Sequence, residues 1–386
     1  MKDLFEKCDQ YTLANEYKSM GLFPYFRPLD SRQDTEVVME GRRRIMLGSN
    51  NYLGLTVNPR VMKAEMDAVE QFGTGCSGSR FLNGTLRLHL DFEQALRDFL
   101  RQEDILTFGT GFQANLGVIS CIAGKGDYII CDRENHASIY DGCRLSYAKM
   151  LRYRHADMAH LERLLKEIPA DAGCLIVTDG VFSMGGDIAK LPDIVELARK
   201  YGAKVMVDDA HALGVLGEGG RGTASHFGLE GEVDLTVGTF SKSLASLGGF
   251  AVGSHRAIDY IRHNSRPYIF SASMPPANVA AAHAALRELQ EHPELVDQLQ
   301  HISAYMRQKL LDRDVKIIPI YTYEPLPTLQ ISSELFDEGV YVNSTLPPAC
   351  APHECLLRCS LMASHTEALV DEAVDILCQV LRRHEL

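Results

Sequence analysis

The stretch "GTFSKSLASLGG" (Gly238–Gly249) sets one lysine, Lys242, among small residues just after the strand-like "DLTV". A lysine kept clear of bulk and close to a cationic ring has a lowered pKa, which suits it to act as nucleophile and base. Those are the demands on a lysine that forms a Schiff base with pyridoxal phosphate. The same cofactor needs an acid to keep its pyridine nitrogen protonated and N–H donors, often at a helix start, for its phosphate. Asp208 closes the strand-like "VMVD" and fits the acid, while its neighbour Asp209 points to the other side by strand alternation. His211 lies a short step further on, where it reaches toward the ring oxygen. His136, after "DREN", offers a flat imidazole to stack on the ring. Gly111 and Phe112 open the helix-like "FQANLGVIS" and offer backbone N–H groups to the phosphate, and Thr239 adds a hydroxyl. Ser183, in "DGVFS", is in position to bond the ring oxygen. Each residue alone has an ordinary structural reading: an exposed lysine, a turn aspartate, a satisfied histidine, a helix start. Their joint arrival after strands is what points to a site.

The elements that position them alternate. Strand-like runs are "DILTF" (104–108), "DYIIC" (127–131), "MLRYR" (150–154), "CLIVTDG" (174–180), "KVMVDDA" (204–210), "DLTVGT" (234–239) and "GFAVG" (249–253). Helix-like segments such as "MAHLERLLKEI" (158–168) and "LPDIVELARKYG" (191–202) separate most of them. Such alternation predicts a mostly parallel α/β sheet covered on both faces, with ligands bound beyond the carboxyl ends of the strands. Between "DLTV" and "GFAV" there is no room for a full crossover helix, so either one strand there runs antiparallel or the turn is short. After about residue 275 the texture changes. Helical stretches over 277–291 and 293–312, then "VKIIPIY", "PTLQISS" and the closing "TEALVDEAVDILCQVLRRHEL", predict a smaller α+β region. The expected organisation is an N-terminal arm (1–45), a large α/β cofactor-binding domain (46–275) and a small C-terminal α+β domain (276–386).

Composition excludes several classes. The 386 residues carry 39 basic and 51 acidic side chains, a formal charge of −12, and the densest basic run, "GRRRIM", is short. Nucleic acid is therefore not an expected partner. The charged N-terminus has no signal-peptide core, and no apolar run reaches the ~18–20 residues that span a bilayer. Ten scattered cysteines fit free thiols in a reducing cytoplasm. Cys350, His353, Cys355 and Cys359 lack the paired spacing of zinc sites, so no metal is expected. Loose G-x-G-x-x-G matches at Gly73/Gly75/Gly78 and Gly217/Gly219/Gly222 lack the strand-to-helix context of a dinucleotide fold.

The motifs "SNNYLGL" (49–55), "GTGCSGSRFLNGT" (73–85), "GTGFQAN" (109–115), "NHASIYDG" (135–142), "TDGVFSMGGD" (178–187), "DDAHALGVLGEGGRG" (208–222), "GTFSK" (238–242), "FSASMPP" (270–276) and "LRCSLMASHT" (357–366) span nearly the whole chain. In order and spacing the set resembles the α-oxoamine synthases. That resemblance implies a fold-type I pyridoxal phosphate (PLP)-dependent transferase. It also implies a homodimer with its active site at the subunit interface, which condenses an amino acid with an acyl-CoA and releases CO2. It implies Lys242 as the Schiff-base lysine, Asp208 as the pyridinium partner, His136 as the stacking residue and His211 as the residue near the ring oxygen. Ser183, Thr239, Gly111 and Phe112 match further cofactor contacts. Arg358 matches the arginine that holds the substrate carboxylate, a task suited to a guanidinium fork. Asn50 and Ser79 fall in motifs lining the acyl-CoA side. Either Ser271 or Ser273 matches a serine reaching the partner subunit's phosphate, and the sequence does not choose between them. The arm "EYKSMGLFPYFRPL" (16–29), "CSGSRFLNGT" and "GVYVNSTLPPA" (339–349) are most similar to the bacterial branch that condenses L-serine with palmitoyl-CoA. On that reading the aromatic arm covers a long acyl chain, and peripheral contact with a membrane is compatible with it. Other branches, such as those making 8-amino-7-oxononanoate or 2-amino-3-ketobutyrate, are the nearest alternatives. A cofactor-less regulatory subunit on the same fold is disfavoured by Lys242, Asp208 and His136 together.

Overall fold

The computed structural model describes residues 1–313, 315 and 319–385. Two compact units are present: Asn50–Gln300, and Met1–Ser49 with His301–Leu386.

The unit Asn50–Gln300 is built on a seven-stranded sheet. Its strands are β1 (Asp104–Phe108), β2 (Tyr128–Asp132), β3 (Lys149–Tyr153), β4 (Cys174–Asp179), β5 (Lys204–Asp208), β6 (Leu235–Thr239) and β7 (Gly249–Gly253), in the order β1-β7-β6-β5-β4-β2-β3. β3, β2, β4, β5 and β6 run parallel to one another, and β7 is antiparallel to both β6 and β1. This resolves the sequence ambiguity at "SKSLAS". Residues 240–248 are a tight turn, and a parallel return would need a crossover of a dozen residues or more. The central strands are apolar and buried almost end to end because helices cover both faces. One layer packs Val118, Ile119 and Ile139 against Ile129, Val177 and Val237; the other packs Leu161, Ile194 and Ala198 against Ile130, Ile176 and Val205. The expected helix ends hold where a physical stop exists. Leu191–Tyr201 ends at Gly202 with φ +71°, a left-handed cap that glycine adopts without strain.

The other unit is α+β. A hairpin of Glu36–Met39 and Arg42–Met46 pairs with Val340–Tyr341, and Cys355–Arg358 lies between Ile320–Tyr323 and Asn343–Thr345. Helices Pro325–Glu338 and Glu367–Arg383 complete it. The segment "PTLQISS" belongs to the first of these helices, and much of "VKIIPIY" lies outside the described residues. At the N-terminus the short helices Glu6–Asp9 and Leu13–Ser19 bury no residue. Among the described residues no helix is long and apolar enough to cross a membrane.

Candidate active site

Parallel pairing sets Asp179, the last residue of β4, opposite Asp208, the last residue of β5. Both are buried, at 4% and 6% exposure. Asp208 Oδ2 accepts a hydrogen bond from Asn115 Nδ2 at 2.6 Å, and its Oδ1 accepts from the Ala210 backbone N–H at 2.9 Å. Asp209 serves a different neighbour, as alternation requires: its Oδ2 accepts from the Thr223 N–H at 2.9 Å, and burial raises its pKa to about 6.

His136 caps the helix Ala137–Leu145, its Nδ1 accepting from the Ser138 N–H at 3.3 Å. Its own N–H donates to Asp179 Oδ2 at 3.2 Å. Burial lowers the His136 pKa; Asp208 opposes that shift and Lys242 adds to it, so both charges act on the ring. Burial first, then Asp208, pushes the Asp179 carboxyl well above the usual carboxylate range, with Lys242 and the His136 N–H opposing. Lys242 itself is partly buried between exposed Ser241 and buried Ser243. The carboxylate, imidazole and lysine expected to surround a ring thus lie at or after the ends of β5, β2 and β6 on the carboxyl edge of one sheet.

Where the sequence places phosphate contacts, the backbone approaches closely. A Cβ on Gly111 would stand 2.8 Å from Thr239 Cβ, and one on Gly249 would stand 2.7 Å from Gly111 Cα and N. The N-terminus of the helix Gly111–Ile122 therefore abuts the turn from β6 to β7. Thr110 caps that helix through its Oγ1, which accepts from the Gln113 N–H at 3.0 Å. Thr239 Oγ1 lies 2.8 Å from both Gly248 O and Ser241 Oγ. Free helix N–H groups beside a hydroxyl pair fit an anion. Phe112 is 44% exposed, with its ring edge-on to His136 at 6.3 Å. These residues fit pyridoxal phosphate: a helix start for the phosphate, a buried carboxylate for the ring nitrogen, an imidazole and a lysine.

His211 Nδ1 is 2.7 Å from Tyr52 Oη, and the same hydroxyl lies 3.2 Å from Asn50 Oδ1. Ser79 is buried, and its Oγ meets no protein partner among the described residues. Ser273 bonds the carbonyls of Gly78 and Gly84 through its hydroxyl (2.8 and 2.6 Å), whereas Ser271 is partly buried. Arg358 ends the strand Cys355–Arg358, paired with Asn343; it belongs to the other compact unit.

Ser183 sits in the loop between Gly180 and Ala189, which is braced by a residue the sequence reading missed. His155 Nδ1 is 3.0 Å from Asp132 Oδ1 and its Nε2 is 2.8 Å from Asp187 Oδ2, with Glu134 Oε2 at 3.8 Å. Hydrogen bonds that its ring N–H groups donate to Asp132 and Asp187 raise its pKa to about 10. An imidazolium so held stabilises the fold fully below its unfolded pKa of ~6.5, and this contribution is lost as pH rises through about 10. His155→Gln is therefore expected to melt below wild type at pH 7, with the gap closing as pH approaches 10. Calorimetry across pH measures it; a gap independent of pH would contradict the charged brace. Asn115, Ser138 and Tyr52 were also missed. Their signals, an asparagine one turn into "GTGFQAN" and the His-x-Ser of a capped helix, become legible only once the partners are known.

A family model for aminotransferases of class I and II matches residues 42–377. A serine palmitoyltransferase of Sphingobacterium spiritivorum is 48% identical over 99% of this chain and 98% of its own length. An 8-amino-7-oxononanoate synthase of Thermoanaerobacter pseudethanolicus is 42% identical over 93% of each. A solved structure of SPT (serine palmitoyltransferase) with PLP as internal aldimine superposes with a TM-score of 0.95 at 38% identity, over 99% of both chains. Similarity that runs the length of the chain, over a site with these residues at its strand ends, means that the chain belongs to the aminotransferase class I and II family, in its α-oxoamine synthase branch.

Proposed function

We propose that this protein condenses L-serine with palmitoyl-CoA, releasing CoA and CO2 and forming 3-oxosphinganine, the first step of sphingolipid synthesis, with pyridoxal phosphate as cofactor. The observation that carries the reading is the set Lys242, Asp208 and His136 on the carboxyl edge of one sheet, at or after the ends of β6, β5 and β2, with Asp208 and Lys242 both acting on the His136 ring, in a chain nearer to serine palmitoyltransferases (48 and 47% identity) than to an 8-amino-7-oxononanoate synthase (42%).

When bound, pyridoxal phosphate supplies an electron sink for the charge that develops at the amino acid's Cα. In this reading Asp208 holds a proton on the ring nitrogen. Lys242 Nζ would hold the cofactor, and as an amine it would serve as the base that takes the serine Cα proton. His136 would hold the ring and the serine carboxylate, restraining loss of CO2. Arg358 grips the same carboxylate through two N–H donors. Gly111, Phe112 and Thr239 hold the phosphate, and Ser183 and His211 bond the ring oxygen. Asn50 and Ser79 serve the acyl-CoA side.

The enzyme is read as a cytoplasmic homodimer. Phe81, Leu82 and Phe270 are exposed at 47, 77 and 77% on segments that Ser273 ties together. An apolar patch of this kind supports a subunit interface there. Because the Ser273 hydroxyl is already bonded, Ser271 is the better serine to reach the partner subunit's phosphate. The arm, with Phe26 93% exposed, supports a cover for a long acyl chain.

A panel of serine, glycine and alanine against short and long acyl-CoAs, read by CoA release, tests the reading. Serine with palmitoyl-CoA should exceed the other pairs. Preference for alanine with a pimeloyl thioester would replace it with 8-amino-7-oxononanoate synthesis.

A further inference from the structure

Asp208, Asn115, Ser138 and His136 form a directed chain. Asn115 Nδ2 carries two protons; one goes to Asp208 Oδ2 at 2.6 Å and the other to Ser138 Oγ at 2.9 Å. The opposite amide orientation would set Asn115 Oδ1 against a carboxylate, so the polarity is determined. Ser138 Oγ thus already accepts a proton and has its own to give, and His136 Nδ1 lies 2.7 Å away. The Ser138 backbone N–H reaches the same nitrogen at 3.3 Å. A backbone N–H only donates, so Nδ1 faces two donors and has no place for a proton of its own. Ser138 and Asn115 are 0% and 2% exposed, which keeps water from relaxing this order.

We propose that Asn115 and Ser138 lock His136 in the neutral tautomer with its proton on Nε2, so that His136 donates a hydrogen bond to the ligand and cannot serve as the base. The inference rests on the reading that His136 faces cofactor and substrate. It assigns proton removal to Lys242 alone and makes Asn115 and Ser138 positioning residues. The charges acting on the ring are consistent with the lock: burial disfavours imidazolium, Lys242 adds to that, and Asp208 opposes without reversing it. Asp179 touches only the His136 backbone N–H. The chain has a second consequence. It ties the orientation of the imidazole to the carboxylate paired with the ring nitrogen, through one asparagine.

The test is tautomer-resolved NMR on the cofactor-loaded enzyme labelled with ¹⁵N-histidine, with His136→Gln identifying the signal. The expected result is an unprotonated Nδ1 and a protonated Nε2 from about pH 6 to pH 8. A proton on Nδ1, or an imidazolium at pH 7, would overturn the proposal. Ser138→Ala keeps the backbone N–H but removes the hydroxyl donor at 2.7 Å, and should leave a mixture of the two neutral tautomers; an unchanged pattern would remove the Ser138 hydroxyl and Asn115 from the lock and overturn the proposal. If Ser138→Ala does not fold, the wild-type spectrum decides by itself. The substrate panel fails independently, because the ring protons are read whichever amino acid is consumed.

Discussion

Lys242→Ala is expected to leave a folded protein with no measurable turnover. Lys242 is partly buried in the turn after β6, flanked by Ser241 and Ser243 and outside the apolar core that takes Phe240 and Leu244, so truncation leaves little packing to lose. The chemical loss is large because one side chain is assigned two tasks. Removal of a positioned general base alone costs about 10²–10⁴-fold. The attachment point for the cofactor's aldehyde carbon disappears with it. The variant should therefore also lack the absorption near the visible edge that marks cofactor joined to lysine, and its far-ultraviolet circular dichroism should be unchanged. Turnover with that absorption intact would sink the assignment of Lys242.

Asp208→Asn is expected to separate cofactor binding from catalysis. The carboxylate is 6% exposed and accepts from Asn115 and the Ala210 N–H. An amide of the same shape retains an oxygen for one of these donors but carries no charge to keep a ring nitrogen protonated. It also sets an NH2 group against Asn115 or Ala210, which weakens the Asn115 chain. Cofactor affinity should fall modestly. Turnover should fall by about 10²–10³-fold, the scale on which one preorganised electrostatic partner acts. Titration with pyridoxal phosphate and single-turnover kinetics distinguish the two effects. Equal losses in binding and rate would mean that Asp208 is only a structural ligand.

Much of the frame was legible in order along the chain. Apolar runs separated by amphipathic segments specify strands and helices by local periodicity, and the polar residues after those runs are the ones that end up at the carboxyl edge. Lys242, Asp208 and His136 could be chosen on that ground, and the family motifs around them agree over most of the length. Asp209 could be set aside by alternation alone, and the structure bears this out with its bond to Thr223.

What the tertiary structure decided depends on strand order and on close approach. The sequence places β1 and β7 far apart, yet β7 runs antiparallel between β1 and β6, and only that arrangement brings Gly249 against Gly111 beside Thr239. Asp179 reads as one turn acid among many until register sets it opposite Asp208 and burial raises its pKa. Asn115, one turn into a helix, has no local reason to be polar; its reason is Asp208, which lies 93 positions further on. His155 likewise is explained only by Asp132 and Asp187 from other elements. Periodicity is a local property, so it identifies which face a residue takes. Which charge that face meets is set by non-local pairing, and the protonation states on which the chemistry depends are decided there.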